Sequence, residues 1–421
     1  MKTCSHVAVP RRAALVVLAT AVAVVLAALS LAACGGCSSG GSATPTARTS
    51  QSTPAANPSN TPTAPSASSS TGPPSTPAKQ LVIAVASGSK SNGLSVISST
   101  GQVRQLLAPS GGPIRDLAWS PDGKRLAYLQ AKSGNGYAAR LSWYDTTTGA
   151  TSQVVFPNED NEAAVDSFTW VAPTEVIASV IASGPTYRAN GALWLCDVVK
   201  GTRKVVKDDG GRALRGAGVS SSADGTRIAY VAYGAASQGM VPERLRLLNA
   251  DNLVLMTVAQ GRHPADIDGD AFTYPLISPD GSLIYTAQTG SDPGFACTVW
   301  EVGQEKAMQA TDLIWPAPGS WSPSGRLAFG GASGLKNFQF DSIQVWQRGV
   351  ARPTAILVPP TKLPISSVAW SPKATQIAYT VSKPSGLNGS LWVVNADGSN
   401  RHLLFASGSR PAWAMAPISF P

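Results

Sequence analysis

The sequence predicts an all-β fold built from repeated four-stranded units. A phrase, Trp-Ser-Pro-Asp-Gly or a degenerate copy of it, recurs about every fifty residues. A strand of the form Ile-Ala-Tyr follows most copies, and two further strand patterns separated by a polar turn complete each unit. Four antiparallel strands in a repeat of this length are typical of a β-propeller blade.

Each copy of the phrase predicts a tight hairpin between the first and second strands of a blade. Ser suits the first turn position, Pro presets φ at the second, and Gly takes the left-handed position that closes the hairpin. The clearest copy lies at 119–123 and a degenerate one at 168–171. The turns of the six copies begin at Ser120, Val171, Ser222, Ser278, Ser322 and Ser371.

The outer strands of the blades follow these hairpins. Third strands are predicted at 141–144, 193–199, 245–248, 298–302, 343–346 and 391–394. A polar turn and a fourth strand come next, for example at 202–206 and 253–258. Each unit therefore contains the four strands that a blade needs.

The two ends of the chain supply a seventh blade. Residues 81–86, 94–98 and 103–107 resemble strands two to four of a unit that lacks a first strand, and residues 410–414 resemble a first strand alone. Pairing the last strand with the first three would seal the ring and leave no open edge there. We therefore predict seven blades closed by the terminal strands, with a six-bladed ring as the alternative.

This pattern resembles the TolB-type propeller family, and its lipoprotein-associated branch in particular. The resemblance covers about residues 80–421 and rests on the two strand and turn phrases together with the outer turn at 395–400. These motifs belong to the mechanics of the blade, so the resemblance implies the fold and says little about function. The small α/β domain that precedes the propeller in TolB has no counterpart here, so the resemblance does not carry TolB's envelope role with it.

The first residues predict export and a lipid anchor. Lys2, Arg11 and Arg12 precede an apolar run at 13–33, which ends in Leu-Ala-Ala-Cys. This ending resembles the lipobox of bacterial lipoproteins, in which the thiol of the cysteine receives a diacylglycerol chain before cleavage. We predict a signal peptide over 1–33 and lipidation of Cys34. An uncleaved anchor is the alternative, because the run is long enough to span a bilayer, and twin-arginine export stays open.

The next segment predicts a linker that separates the anchor from the propeller. Residues 34–79 consist almost entirely of Ser, Thr, Pro, Ala and Gly, which cannot bury a core and predict a disordered tether. The propeller then occupies 80–421. This organisation places the protein on the extracytoplasmic face of a bacterial cell membrane, held there through the lipid.

The distribution of charge restricts the classes of partner that are expected. The formal net charge is +9, but the basic residues are scattered, which argues against nucleic-acid binding. A weak attraction to anionic lipid or wall polymers is compatible with this charge. The expected partner is an envelope protein or a wall polymer.

Cys196 and Cys297 lie on third strands two blades apart, too far for a disulfide, and are predicted to be buried free thiols.

Catalytic patterns are scarce. Only His263 and His402 remain after signal removal, so a histidine-rich metal centre is not expected. No set of carboxylates converging at repeat spacing is evident from the sequence, and no HExxH arrangement occurs. We therefore predict a non-enzymatic binding or scaffold protein. The alternative is a propeller enzyme of the lyase or lactonase type with a metal site in its central channel.

One acidic cluster is a calcium candidate. Asp266, Asp268 and Asp270 alternate around Gly269, and such carboxylates can converge on Ca²⁺. The cluster resembles the calcium loops of integrin-type propellers, but the expected later Gly and closing Asp are missing. A solvated turn is the other interpretation. No cofactor is expected, and calcium remains open.

Loop lengths favour one face of the ring for binding. Connections from strand four to the next blade, and from strand two to strand three, emerge on the same face of a propeller. The long ones are at 156–165, 183–191, 206–216, 234–243, 259–271 and 330–341. Function concentrates on long loops of rigid scaffolds. The candidate ligand residues on this long-loop face are Tyr187, Arg188, Arg212, Arg215 and His263.

The tryptophans that recur at repeat spacing favour a structural interpretation. They are Trp119, Trp170, Trp321, Trp370 and Trp413. Their fixed place in the repeat predicts core positions rather than platforms for sugar binding.

Overall fold

A computed structural model describes most of the repeat region. The described residues are 79–131, 139–156, 164–181, 192–233, 243–249, 255–260, 271–289, 295–304, 307–311, 319–331, 342–357, 365–382 and 389–419. Cys34, the predicted signal peptide and the predicted linker as far as residue 78 lie outside them, whereas Lys79, the last residue of the predicted linker, belongs to a short strand. Also outside the described residues are Tyr187, Arg188, His263, Asp266, Asp268 and Asp270, so the expectations for all the residues outside stay predictions.

Seven antiparallel four-stranded sheets form the blades of a β-propeller, which confirms the predicted fold class. Blade 1 contains β5 (Ile114–Trp119), β6 (Arg125–Ala131), β7 (Ala139–Asp145) and β8 (Thr151–Gln153). Blade 2 contains β9 (Ala164–Ala172), β10 (Glu175–Ile181), β11 (Ala192–Asp197) and β12 (Thr202–Val205). Blade 3 contains β13 (Gly216–Ser221), β14 (Arg227–Tyr233), β15 (Glu243–Asn249) and β16 (Leu255–Gln260). Blade 4 contains β17 (Ala271–Ile277), β18 (Leu283–Thr289), β19 (Phe295–Glu301) and β20 (Ala307–Thr311).

The remaining three blades follow the same order. Blade 5 contains β21 (Ser320–Trp321), β22 (Leu327–Gly331), β23 (Ser342–Trp346) and β24 (Thr354–Leu357). Blade 6 contains β25 (Ile365–Trp370), β26 (Gln376–Val381), β27 (Ser390–Asn395) and β28 (His402–Phe405). Blade 7 contains β29 (Gly408–Trp413), β2 (Val82–Ser87), β3 (Gly93–Ser98) and β4 (Val103–Leu107). No helix long and apolar enough to cross a bilayer occurs in the described ranges.

The ends of the chain close the ring as predicted. β29 pairs antiparallel with β2, and Trp413 lies opposite Ile83 in this register. A short second pairing joins β1 (Lys79–Gln80) to β30 (Ile418–Ser419) beside it. The six-bladed alternative is therefore wrong, because the terminal strands complete a blade instead of fraying.

The repeated hairpin has the conformation that its sequence predicts. Its glycines all have positive φ, namely Gly123 (69°), Gly225 (73°), Gly281 (69°) and Gly325 (76°). In the first copy the Ser120 hydroxyl donates to the Asp122 carboxylate at 2.6 Å and accepts the Arg125 N–H at 2.9 Å. The phrase is therefore a self-contained hydrogen-bonded turn.

The Ile-Ala-Tyr strand forms the central core of each blade. In β26, Ile377, Ala378 and Tyr379 are at most 1% exposed, although neighbouring residues of a strand point to opposite faces. Both faces of the sheet must therefore be covered, and the two adjacent blades cover them. This explains why the strand is continuously apolar instead of alternating.

The repeated tryptophans join neighbouring blades. The indole N–H of Trp119 in blade 1 donates to the Ala412 carbonyl of blade 7 at 3.1 Å, and that of Trp170 in blade 2 donates to the Ala118 carbonyl of blade 1 at 3.0 Å. Trp413 makes the same bond back to the Ala369 carbonyl of blade 6 at 3.1 Å. Trp119, Trp170, Trp370 and Trp413 are buried and Trp321 is half-buried, so they are structural residues, as predicted.

Arginines that follow the hairpin make a second set of links between blades. Arg227 of blade 3 donates to the Gly281 carbonyl in the turn of blade 4 at 3.0 Å. Arg326 of blade 5 donates to the Ala374 carbonyl in the turn of blade 6 at 2.6 Å. These bonds hold the short-turn face of the ring together.

Cys196 is the free, buried thiol that the sequence predicts. It lies on β11 of blade 2, whereas Cys297 lies on β19 of blade 4. Burial raises the pKa of the Cys196 thiol to about 12, so the thiolate that reacts or binds metals hardly forms at neutral pH.

Candidate functional site: the central channel

The innermost strands of the seven blades surround a central channel of about 510 Å³. This volume lies within the range of small-molecule sites. The charged residues that line it are Arg115, Asp116, Asp166 and Arg410. They come from blades 1, 2 and 7, which are neighbours in the ring.

A β-bulge places these charged residues in the channel. Six of the seven innermost strands carry a register shift at the same level, a few residues before the hairpin. The bulged positions are Arg115, Asp166, Gly218–Val219, Tyr274–Pro275, Ser366 and Arg410–Pro411. A bulge inserts one extra residue into a strand and redirects its side chain. Three of the four charged channel residues therefore owe their position to a bulge.

Arg410 occupies a strained backbone position in this bulge. Its φ is 53°, a left-handed conformation that costs a residue other than glycine about 1–3 kcal/mol. Pro411 follows it and is tolerated because the bulge removes the need for a ladder N–H there. Pairing of the flanking residues Ser409 and Ala412 with β2 holds the strained residue in place.

The two channel carboxylates are oriented by backbone N–H groups. Asp116 accepts a hydrogen bond from the N–H of Leu117 at 2.9 Å. Asp166 of blade 2 accepts one from the N–H of Gly218 in blade 3 at 3.2 Å. Gly218 has a φ of 62°, so the bulge of blade 3 also serves to orient the carboxylate of its neighbour. Both side chains are thus preorganised.

The environment raises the pKa of Asp116 above its ordinary value. The largest cause is desolvation: Asp116 is exposed to the channel, but the dense protein around the channel disfavours its charged form. The positive charge of Arg410 lowers this pKa, as does the hydrogen bond from Leu117, while the negative charge of Asp166 raises it. Asp116, Asp166 and Arg410 therefore interact electrostatically across three blades.

The other side of the channel carries no formal charge among its described residues. Blades 3 to 6 line it with Gly218, Val219, Pro275, Leu276, Gly319, Ser320, Trp321, Ser367, Val368, Ala369 and Trp370. These residues are small, apolar or hydroxylic. The channel therefore has a charged half and a mostly apolar half, an arrangement suited to a ligand with a polar head and an apolar body.

Arg212 and Arg215 lie on one connection at the long-loop face, between β12 and β13. The Arg212 side chain is 85% exposed and its guanidinium lies 3.4 Å from the Asp208 carboxylate. Lys207 and Ala213 form an isolated β-bridge across the base of the turn. Arg215 is also exposed and directly precedes β13, one of the innermost strands. The connection thus presents two cations near the channel.

The expectation that no carboxylates converge at repeat spacing is wrong. Asp116 lies three residues before Trp119, and Asp166 lies four residues before Trp170. Aligning the copies on Trp would have shown acidic residues at almost equivalent places. Because the bulges interrupt the alternation of side chains along these strands, a regular strand pattern does not predict that Asp116 and Asp166 line the channel. Among the described residues, no three potential metal ligands of the His, Cys, Asp or Glu type lie together.

No protein-family model and no curated protein matches the sequence. Several solved structures resemble its fold. A puromycin-hydrolysing peptidase from Mycobacterium tuberculosis has 15% identity and a TM-score of 0.52, over 78% of this chain and 53% of the peptidase. This chain therefore spans about half the length of that enzyme.

Two further solved structures have lower TM-scores. TolB from Acinetobacter baumannii has 15% identity and a TM-score of 0.47, over 80% of this chain and 66% of TolB. Oligogalacturonate lyase from Vibrio parahaemolyticus has 12% identity and a TM-score of 0.47, over 71% of this chain and 88% of the lyase. Likeness at this level concerns the fold alone. The chain is a seven-bladed β-propeller.

Proposed function

We propose that the protein is a binding module of the bacterial cell envelope that holds its ligand or partner without converting it. The observation that carries this proposal is the channel, in which backbone hydrogen bonds and bulges fix opposite charges inside a closed ring. A site that is ordered before binding loses little conformational entropy on association, which favours recognition. Arg212 and Arg215 on the long-loop face extend the binding surface beyond the channel.

The N-terminal sequence supports a location at the membrane. Leu-Ala-Ala-Cys follows an apolar run, and a segment rich in Ser, Thr and Pro then leads to the propeller. In the proposal, a lipid on Cys34 anchors the protein to the extracytoplasmic face. The linker holds the long-loop face and the channel at a distance from the membrane, where an envelope protein or wall polymer can reach them.

Acid–base catalysis in the channel is a second candidate function. Asp116, with its raised pKa, interacts with a second carboxylate, Asp166, that lies on the next blade. Two carboxylates in different environments are the usual equipment of an acid and base pair. Such an enzyme would be a propeller hydrolase or lyase.

A capture experiment tests the proposed function. The full-length protein in mild detergent is incubated with solubilised envelope of the bacterium that encodes it, beside the triple variant Arg212→Ala, Arg215→Ala, His263→Ala. We expect the triple variant to retain at least tenfold less partner, because it lacks the charges of the long-loop face, with stability within about 1 kcal/mol of the parent protein.

The matched control removes three exposed basic residues from outer strands, Arg104, Arg203 and Lys204. This control variant should retain the partner fully. Equal loss in both triple variants would mean that the retention is nonspecific charge attraction. Conversion of the retained partner or ligand by the protein would favour the catalytic candidate instead.

A further inference from the structure

We propose that the central channel binds a small zwitterion of dipeptide or tripeptide size. Its ammonium group would face Asp116 and Asp166, its carboxylate would face Arg115 and Arg410, and its side chains would lie against blades 3 to 6. The inference rests on the proposed binding function and names the class of ligand for the channel.

The charge balance of the lining selects a ligand that is neutral overall. The described lining contains two arginines and two aspartates, so its formal charge is zero. A ligand with a net charge would leave one charge uncompensated in a space where desolvation is already costly. A zwitterion adds one charge of each sign. Its two groups would face charges of opposite sign in the lining and keep the balance.

The order of the charges around the ring suits the two ends of such a ligand. Arg410 belongs to blade 7, Arg115 and Asp116 belong to blade 1, and Asp166 belongs to blade 2. Positive charge therefore lies on one side of Asp116 and negative charge on the other. A guanidinium can bind a carboxylate through two parallel hydrogen bonds, while paired carboxylates accept the hydrogens of an ammonium group.

The size and the neutral half of the channel point to more than a single amino acid. A volume of about 510 Å³ is large for a ligand that carries little besides its two charged groups. Val219, Pro275, Leu276 and Val368 offer apolar contact opposite the charges. Burial of apolar side chains against these residues would favour binding in proportion to the apolar surface removed from water.

A ligand series that changes only charge tests the proposal on the unaltered protein. Equilibrium dialysis of the full-length protein in detergent is carried out with Ala-Phe, with N-acetyl-Ala-Phe and with Ala-Phe amide. We expect the zwitterion to bind at least tenfold more tightly than the anionic acetyl form or the cationic amide. Binding of all three forms within threefold of each other, or of none at millimolar concentration, would overturn the proposal.

Two channel variants add an independent test. Asp116→Asn should weaken binding of Ala-Phe and its amide at least tenfold but not that of the acetyl form, because the lining then carries one net positive charge. Arg410→Gln should weaken binding of Ala-Phe and the acetyl form but not that of the amide, because the lining then carries one net negative charge. Arg115→Gln replaces Arg410→Gln if the latter does not fold. Arg104→Gln, on the exposed strand β4, is the control and should change nothing. Variants with the selectivity of the parent protein would overturn the assignment.

The outcome also separates this inference from the proposed function. If the three ligands bind equally well but the triple variant still fails to retain the partner in the capture experiment, the zwitterion proposal is wrong and the proposed binding function stands. Hydrolysis of Ala-Phe by the protein would instead contradict the proposal that it holds its ligand without converting it.

Discussion

At the scale of single residues, backbone conformation accounts for both the hairpins and the channel. Four hairpins place glycine at the left-handed position, where a side chain is unfavourable. The sixth hairpin places Ala374 there, with a φ of 55°. In the channel, Arg410 adopts a similar conformation. The carbonyl of Ala374 accepts a hydrogen bond from Arg326, whereas the strained Arg410 contributes its charge to the channel lining.

The hairpin of blade 6 should therefore be stabilised by glycine. Ala374→Gly should raise the free energy of unfolding by about 1 kcal/mol, because it removes the cost of a left-handed alanine. Gly325→Ala, at the same position in blade 5, should lower it by about the same amount, since no atom lies within 4 Å of the added methyl group. Urea unfolding of both variants measures these effects. Changes of the same sign would show that the left-handed conformation does not set the stability of the turn.

Because the pKa of Asp116 is raised, replacing this residue by a neutral one should stabilise the fold more at high pH than at low pH. A raised pKa means that the folded protein binds this proton more tightly than the unfolded chain, whose value is near 3.8. Stability from this group is therefore full below pH 3.8 and falls as pH rises through the folded pKa. Asn does not titrate, so the stability of Asp116→Asn relative to the parent protein should increase from pH 4 to pH 8. Denaturant unfolding at the two pH values measures it, and a constant or shrinking difference would contradict the assigned environment.

These two positions show what the sequence could predict. The hairpin is local, and Ser, Pro, Asp and Gly determine its conformation within five residues. The direction of Asp116 and Asp166 depends on bulges whose register is set by pairing with the second strand. A shift of one residue redirects every following side chain of a strand. The fold was therefore predictable in detail, whereas the charged half of the channel was not.

At the scale of elements, the links between blades come from side chains at fixed places in the repeat. The Trp at the end of the first strand donates to the preceding blade, and the Arg after the hairpin donates to the following one. The sequence predicted that the tryptophans are structural, because they recur with the repeat. It did not reveal their hydrogen bonds, because the acceptor carbonyls belong to the blade one repeat earlier.

Two tryptophans provide a matched test of these links. Trp170 donates to Ala118, whereas the buried indole N–H of Trp370 has no hydrogen-bond partner among the described residues. Replacement by Phe removes the same atoms at both positions. Trp170→Phe should therefore cost about 1 kcal/mol more than Trp370→Phe, because it also leaves the part-buried Ala118 carbonyl without this donor. Thermal and urea unfolding give the comparison, and equal losses would mean that the indole bond does not stabilise the interface between blades.

At the scale of the whole molecule, closure of the ring makes the channel. Blade 7 takes one strand from the C-terminal end and three from the N-terminal end, so the ring is complete only when both ends meet. Arg410 belongs to that last strand. The same strand therefore supplies closure and one of the channel charges, which links the integrity of the fold to the proposed site.

Removal of the closing strand should open the ring. A chain ending at residue 407 lacks β29, loses the buried Trp413 and exposes the edge of β2. We expect its melting temperature to fall on the order of 10 °C, since loss of a buried tryptophan alone costs about 3–5 kcal/mol. A chain ending at residue 414 keeps β29 and loses the short pairing of β30 together with the packing of Ile418 against the core, so its melting temperature should fall much less than that of the chain ending at 407. Equal melting temperatures for all three chains would show that the terminal strand does not close the ring.

Isothermal titration calorimetry of the full-length protein with Ala-Phe tests the central claim most directly, because it separates binding from turnover in one experiment. The claim is that the charged channel holds a ligand without converting it. The expected result is heat that saturates at one equivalent, with a return to the baseline after every injection. A sustained thermal power that grows with ligand concentration would reveal turnover, and the absence of saturable heat would show that the channel does not bind this ligand; either result would contradict the claim.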